Sequence, residues 1–226
     1  MKTIRDYYQS PAIAMKATVL QITPSDTGGT VILDHTLFCV QGGGQPADHG
    51  TIAGIPVTHV EAAKDSDIVF HSVSSLEGLK EGSEVELRID VPRRVLNSKL
   101  HTGGHLLAAL VEEILPGSKA CGGHHWPGEA RVEFIYDGQL PSDFEQALCT
   151  MIDNAVANDL TVKRSLTNEG DRFVQIGEYP ALRCGGTHCW SLKQLGRLIV
   201  RGIKQKKDRL RIGYDVSVDL SSQRYA

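Results

Sequence analysis

Two short segments of the sequence contain pairs of residues that could bind a metal ion. Cys184 and His188 lie four residues apart in RCGGTHCW, and His101 and His105 lie four residues apart in LHTGGHLL. On a helix, residues four apart share one face, so His101 and His105 could contact the same ion. Imidazole and thiolate are ligands that zinc favours. Taken together, the two pairs predict a zinc site formed by distant parts of the chain.

Other interpretations of the four residues remain open. A histidine on a helix is more often an ordinary surface or core residue, and Cys184 beside His188 could be a thiol nucleophile with its base. The nucleophile hypothesis leaves His101 and His105 without a role. A catalytic zinc keeps one position open, so in a catalytic site three of the four residues would bind firmly. The fourth would be displaced, leaving room for water or for a group of the substrate.

A third unusual segment is rich in glycine. Gly42, Gly43 and Gly44 precede Gln45 in LDHTLFCVQGGGQPADHGTI, residues 33–52. Three consecutive glycines between two strands leave the backbone free of side chains, which indicates close approach of a ligand. No Gly-Lys-Ser/Thr follows them, so the segment is not a phosphate-binding P-loop.

Composition bounds the class of protein. The 226 residues are 41% hydrophobic and 23% charged, as is typical of a globular protein with one large or two small domains. The five cysteines, an odd number, do not indicate a disulfide framework. No apolar run reaches the roughly 20 residues of a membrane span, and the N-terminus lacks the apolar core of a signal peptide. We therefore expect a cytoplasmic protein.

Charge gives a weaker indication about partners. The net charge of −3 argues against strong nonspecific binding to nucleic acid. Basic residues nevertheless concentrate in 197–211, where Asp208 is the one acidic residue. This segment is either a local RNA contact or a solvated pair of strands with a basic turn.

The first ninety residues have the pattern of a small β-barrel. Short runs rich in β-branched residues alternate with Gly, Pro, Asp and Ser clusters. The predicted strands are 17–25, 29–40, 50–63, 67–73 and 83–90.

Beyond residue 90 the pattern becomes mixed. Apolar residues recur at helical spacing over 90–117, and Pro116-Gly117 ends the run. Within it, Gly103 and Gly104 each cost about 1 kcal/mol relative to Ala, which indicates that a ligand or a packed strand comes close to the helix. A second helix is predicted over 141–159, with a capping box from Ser142 to Glu145. Further strands are predicted at 129–136, 160–167 and 196–217, and 118–128 is predicted to be a loop.

These patterns predict an α+β fold in two domains. Residues 1–90 would form a small β-barrel-like domain that carries the glycine-rich motif. Residues 91–226 would form a mixed α+β domain that contains both pairs of candidate ligands.

The three segments, in this order, resemble the editing module of alanyl-tRNA synthetases. At this length the chain resembles the free-standing AlaX-type editing proteins, and the similarity extends over nearly the whole sequence. The glycine-rich segment favours this family over the related editing domain of threonyl-tRNA synthetases. The segment 118–134 departs from the family, because it lacks the Gln-Lys-Gly pattern of many editing domains. It contains Cys121, His124 and His125, which could shape a pocket or offer a second metal contact.

The resemblance implies a trans-editing hydrolase. The family removes a wrong amino acid, chiefly serine and in some members glycine, from the 3′ end of alanine tRNA. Residues 91–226 would then be the zinc-binding editing domain. Its matching positions would hold Zn²⁺ and carry catalysis: His101, His105, Cys184 and His188. Thr36 would recognise the serine hydroxyl, and Gly42, Gly43, Gly44 and Gln45 would wall the substrate pocket.

The expected partner is therefore the aminoacylated 3′ end of mischarged tRNA(Ala), with no DNA or membrane partner. Three alternatives remain open at this point. They are a tRNA-binding module with a structural zinc, an editing domain of the threonyl type, and another metal-dependent ester hydrolase.

Overall fold

The structure, a computed structural model, describes residues 1–168 and 170–217. It contains two compact units. Unit 1 comprises residues 1–42 and 46–94, and unit 2 comprises 43–45 together with the described residues from 95 to 217. A six-stranded barrel near the N-terminus, further sheets and two helices confirm the predicted α+β class. The functional division at residue 90 stays a prediction.

Unit 1 is built around a closed antiparallel barrel. Its strands, in chain order, are β1 (Ile4–Arg5), β2 (Ala14–Ser25), β3 (Gly28–Leu33), β4 (His35–Thr36), β5 (Gly50–Ile52), β6 (Ile55–Ala62), β7 (Val69–Val73) and β8 (Glu84–Ile89). The barrel order is β2-β3-β7-β6-β5-β8, and β8 closes on β2. β1 pairs with β4 in parallel outside the barrel.

Alternation of apolar and polar residues explains the barrel. Along β8 every second residue is buried, and β7 shows the same two-residue period. One face of each strand therefore supplies the core, while the other faces solvent. Fully buried Val31, Leu33, Phe38 and Leu87 lie in that core. The predicted strands at 29–40 and 50–63 are each interrupted, the second by a turn in which Ala53 and Gly54 have positive φ.

Unit 2 consists of two helices and two antiparallel sheets. The helices are α1 (Val91–Ile114), whose first residues are counted with unit 1, and α2 (Phe144–Ala157). The strands are β9 (Lys119–His124), β10 (Arg131–Ile135), β11 (Val162–Leu166), β12 (Arg172–Ile176), β13 (Leu182–Arg183), β14 (Leu198–Lys206) and β15 (Arg209–Val216). One sheet has the order β14-β15-β10-β9 and the other β11-β12-β13. Among the described residues, no helix combines the length and apolar character needed to cross a bilayer.

Helix α1 begins and ends where the sequence signals predict. Asp90 Oδ1 accepts the Arg93 N–H at 3.1 Å, which caps the first turn, and Pro92 is tolerated there because it has no N–H to satisfy. After Ile114 the chain turns at Gly117, where φ is +92°. The helix buries its apolar face in a core shared with α2 and the larger sheet.

Two local predictions are wrong. The capping box from Ser142 to Glu145 does not form, because Asp143 occupies the N-cap position of α2 and no side chain caps it. The segment predicted as a loop over 118–128 contains strand β9, which pairs with β10. Its adjacent Gly122 and Gly123 have the composition of a loop, but the partner strand provides the missing stabilisation.

Candidate metal centre

Four potential metal ligands converge in unit 2. His101 and His105 lie one turn apart on α1, and Cys184 and His188 lie in the segment that follows β13. Their ligand atoms all lie within 4.8 Å of one another. Cys184 Sγ is 3.5 Å from His101 Nε2 and 3.2 Å from His188 Nε2. A tetrahedral zinc with ordinary Zn–S and Zn–N bonds would separate such atoms by about 3.6 Å, so these two separations are close to those between zinc ligands.

Burial keeps the imidazoles neutral. It holds the pKa of His101 and of His188 well below the ordinary histidine value, and it lowers the pKa of His105 to about 4. A neutral imidazole has a free lone pair, which a metal ligand requires. Burial also raises the pKa of the Cys184 thiol, so without a cation the sulfur is protonated at neutral pH.

Hydrogen bonds fix which nitrogen of His101 faces the cluster. Its Nδ1–H donates to Gln45 Oε1 at 2.6 Å, which leaves Nε2 unprotonated. The amide of Gln45 is held in turn, because Oε1 also accepts the Thr187 N–H and Nε2 donates to Thr187 Oγ1. Such outer contacts orient metal-bound histidines in proteins.

His188 is oriented in the same way by a threonine on α1. The Thr102 hydroxyl donates to the Ser98 carbonyl at 2.8 Å, so it must accept a proton from His188 Nδ1 at 3.2 Å. His188 Nε2 is therefore the free nitrogen, and it faces Cys184 Sγ. Thr102 also accepts the Cys189 N–H, which ties the Cys184 to Cys189 segment to the helix.

Glycines allow this close packing. A Cβ on Gly186 would lie 2.2 Å from ring atoms of His101 and 2.6 Å from Gln45 Oε1. On α1, a Cβ on Gly104 would lie 2.3 Å from the ring of His125, and one on Gly103 would lie 2.9 Å from Leu198. The helix glycines thus accommodate neighbouring strands and a histidine.

The glycine-rich segment is divided between the two units. Gly43, Gly44 and Gln45 belong to unit 2, whereas Gly42 belongs to unit 1. Gly44 has a φ of +79°, and its carbonyl accepts the His125 N–H at 2.8 Å. A Cβ on Gly44 would lie 2.3 Å from the Gly123 carbonyl, but Gly42 and Gly43 have no atom within 4 Å of theirs.

His125 lies next to the cluster of four candidate ligands. The prediction of a loop over 118–128 did not place it there. Its ring stacks on that of His101 with centroids 4.7 Å apart. The Tyr214 hydroxyl donates to the Leu100 carbonyl, so His125 Nδ1–H donates to Tyr214 at 2.6 Å. Burial lowers the pKa of His125 to about 3. The sequence did single out His125, but it gave no indication that the residue lies beside His101.

Thr36 lies in unit 1 and is fully buried. His71 Nδ1–H donates to the Val31 carbonyl at 3.0 Å, so His71 Nε2 accepts the Thr36 hydroxyl proton at 2.8 Å. Burial lowers the pKa of His71 to about 4, which keeps this arrangement at neutral pH. The Phe38 N–H donates to Thr36 Oγ1 at 3.1 Å. One lone pair of the hydroxyl is left to accept a further hydrogen bond.

The sequence is similar to those of alanyl-tRNA editing proteins and alanine–tRNA ligases. The alanyl-tRNA editing protein AlaX-M of Pyrococcus horikoshii is 32% identical over 196 residues, which cover 85% of this chain and 87% of that protein. AlaX-L of the same organism is 27% identical over 93% of this chain and 57% of its own length. An alanine–tRNA ligase of Pyrobaculum aerophilum is 29% identical over 89% of this chain but only 25% of its own length.

No protein-family model matches the sequence. The similarity to AlaX-M nevertheless extends over most of both proteins at 32% identity. The chain therefore belongs to the family of alanyl-tRNA editing proteins.

Proposed function

We propose that this protein hydrolyses the ester that joins a wrong amino acid to tRNA(Ala), with seryl-tRNA(Ala) as the main substrate and glycyl-tRNA(Ala) as a second one. Its enzyme class is that of the family, aminoacyl-tRNA deacylases, which are hydrolases. The observation that supports the proposal most directly is the convergence of four candidate metal ligands in a chain of this family.

The physical need for such an enzyme lies in the small size of alanine. A synthetase pocket for alanine excludes glycine by one methyl group and only weakly rejects an added hydroxyl. Binding alone therefore discriminates too little, and a second site must remove the misplaced residue. Hydrolysis of the ester requires no ATP.

We propose that the protein acts in the cytoplasm, because charged tRNA is used there.

We propose zinc as the metal that the four residues hold. The donor set of three imidazoles and one thiolate is one that zinc favours, and the four ligand atoms lie within 4.8 Å of one another. When bound, the ion would supply Lewis-acid chemistry by polarising the ester carbonyl. Three firm ligands and one displaceable ligand would leave access for the substrate, and the half-buried His105 and Cys184 are the more accessible members.

The protein's own residues position this site. Gln45 and Thr102 hold the rings of His101 and His188 with Nε2 towards the cluster. We propose that orienting His101 is the main role of Gln45, in place of the pocket wall expected from the sequence. The buried ring of His125 stacks on that of His101 and covers one face of it.

Thr36 is our proposed selectivity residue. Its proton is already donated to His71, so the hydroxyl can only accept from a substrate. A serine hydroxyl could donate to it, whereas alanine and glycine have no such donor. We propose that Gly42 and Gly43, whose surroundings are open, leave space near the amino acid.

The Thr36→Val variant should lose selectivity for serine. Removing the acceptor should lower kcat/KM for seryl-tRNA(Ala) about 10- to 100-fold, the effect of about 1–3 kcal/mol for one buried hydrogen bond. Glycyl-tRNA(Ala) hydrolysis should change little, because glycine makes no bond to this hydroxyl. Steady-state deacylation of both substrates by the same preparation measures the ratio. An equal decrease for both would show that Thr36 has only a structural role.

We propose that the basic β14–β15 hairpin contributes to tRNA binding. Lys206 and Lys207 are exposed at its turn, and Lys204 lies opposite Arg211 across the pair of strands. Lysine and arginine side chains neutralise backbone phosphates, and the resulting affinity weakens as salt rises.

The proposed function is tested by incubating the protein with seryl-, glycyl- and alanyl-tRNA(Ala), with and without a chelator. We expect rapid loss of the seryl ester, slower loss of the glycyl ester and little loss of the alanyl ester. Chelation should abolish all turnover, and added zinc should restore it. Tight tRNA binding without turnover would instead indicate an RNA-binding module with a structural metal. Equal hydrolysis of unrelated small esters would indicate a different esterase.

A further inference from the structure

A cation–π pair lies in the same segment as the candidate metal ligands. The guanidinium carbon of Arg164 is 3.1 Å from the centre of the Trp190 ring. Trp190 follows His188 by two residues, and 50% of its surface is exposed. We call these two side chains the Arg164–Trp190 platform.

The backbone around the platform is held in place. The Val162 N–H donates to the Trp190 carbonyl at 3.0 Å, and the Trp190 N–H donates to Gln194 Oε1 at 2.8 Å. Arg164 lies on β11, in the same three-stranded sheet as β13. Cys184 directly follows β13, and its N–H donates to the Arg172 carbonyl at 2.9 Å. The sheet that contains Arg164 therefore also positions one of the candidate metal ligands.

Arg164 has no counter-charge of its own. Its Nη2 is buried without a hydrogen-bond partner, and none of the ion pairs in the described part of the chain includes this guanidinium. Removing a cation from water without an opposing charge is unfavourable. An arginine in this state is suited to an anion supplied from outside, and its planar donors match the geometry of a phosphate.

The exposed indole supplies the second half of a nucleotide site. Unpaired bases stack on Trp side chains and on arginine planes, irrespective of base identity, and single strands bind where stacking and cationic groups combine. The guanidinium of Arg164 lies over one face of the Trp190 ring, so the exposed part of the indole offers the stacking surface and Arg164 places a positive charge against it.

We propose that the Arg164–Trp190 platform binds the single-stranded 3′ end of the tRNA substrate. An unpaired base stacks on Trp190, and a neighbouring phosphodiester pairs with Arg164. This inference rests on the proposed function for the identity of the RNA. The unesterified end of the RNA is sufficient for this contact, so binding can be measured without any hydrolysis.

A direct test uses Trp190 as its own reporter. The protein contains two tryptophans, so Trp126→Phe leaves Trp190 as the single one. Titration with the ribotrinucleotide CCA should produce a saturable quench of its fluorescence. Adding Arg164→Gln to this variant should raise the dissociation constant for CCA at least 10-fold. The matched control is Lys163→Gln, which removes a charge from the adjacent, exposed residue on the opposite face of β11 and should change binding less than 2-fold.

Kinetics provide an independent readout. Trp190→Ala should raise KM for seryl-tRNA(Ala) about 10- to 100-fold with little change in kcat, and Trp190→Phe should restore most of the loss because it retains a stacking surface. Circular dichroism checks that each variant is folded. The absence of a saturable quench, or equal effects of Arg164→Gln and Lys163→Gln, would overturn the proposal. Quenching by CCA in a protein that hydrolyses no aminoacyl-tRNA would instead refute the proposed function and leave the platform standing.

Discussion

Replacing Cys184 by alanine should remove the bound metal and lower deacylation of seryl-tRNA(Ala) by at least about 1,000-fold. Loss of the thiolate leaves three imidazoles, of which His105 has no hydrogen-bond partner in the described residues to orient it. Metal-ion catalysis supplies several kcal/mol of transition-state stabilisation, which corresponds to this factor. His101→Ala should have an effect of the same size. Metal content by mass spectrometry and single-turnover deacylation measure the two losses together.

A variant of a second cysteine distinguishes the effect of losing the metal from the effect of general damage to the fold. Cys121 is exposed on β9, so Cys121→Ser should retain both metal and activity. Full activity of Cys184→Ala would refute a ligand role for this cysteine. A thioester trapped on Cys184 would instead establish the thiol nucleophile, which the raised pKa of this buried thiol disfavours in a metal-free site.

Gly186→Ala should impair the site nearly as severely, although glycine supplies no ligand atom. The new methyl group would lie 2.2 Å from the His101 ring and 2.6 Å from Gln45 Oε1, closer than van der Waals contact allows. Either His101 or the Cys184 to His188 segment must move, and a shift of about 1 Å in a catalytic group can cost 100-fold in rate. We expect at least a 100-fold loss of kcat/KM and a weaker affinity for zinc. Zinc titration and deacylation kinetics measure these effects.

Gly202→Ala is the control for this substitution. Gly202 lies on β14, no atom lies within 4 Å of its ideal Cβ, and its φ is not positive. The variant should therefore keep its metal and its activity. If Gly186→Ala retained normal zinc affinity and activity, the close packing of this segment against His101 would be incorrect.

Local patterns were sufficient to predict much of the fold. The β-branched runs that predicted β7 and β8 and the helical spacing that predicted α1 depend on nearby residues, and all three elements form as expected. The two pairs of candidate ligands were also visible, because each pair is only four residues apart. Their meeting around one point could be expected only from ligand chemistry and from the family resemblance.

The surroundings of the site could not be predicted, because they depend on contacts between distant residues. Gln45 precedes its partner His101 by 56 residues, and Tyr214 follows its partner His125 by 89. No periodicity encodes such contacts. Because β9 contains two adjacent glycines, its segment was predicted as a loop. The position of His125 beside His101 was therefore not predicted. The helix glycines were interpreted correctly as positions of close approach, but the neighbours that approach them were unknown.

Residues 43–45 belong to unit 2, although the residues on both sides of them belong to unit 1. This affects which shortened forms of the protein could keep the candidate metal site intact. The acceptor that selects the His101 tautomer comes from Gln45, far upstream of both ligand pairs. A truncated version that starts at α1 would retain every ligand atom and yet lose this acceptor. In that version the imidazole of His101 would be free to rotate and to exchange its proton between the two ring nitrogens. The portion that carries the candidate metal ligands is therefore not complete on its own, and a shortened form without Gln45 would need a substitute acceptor.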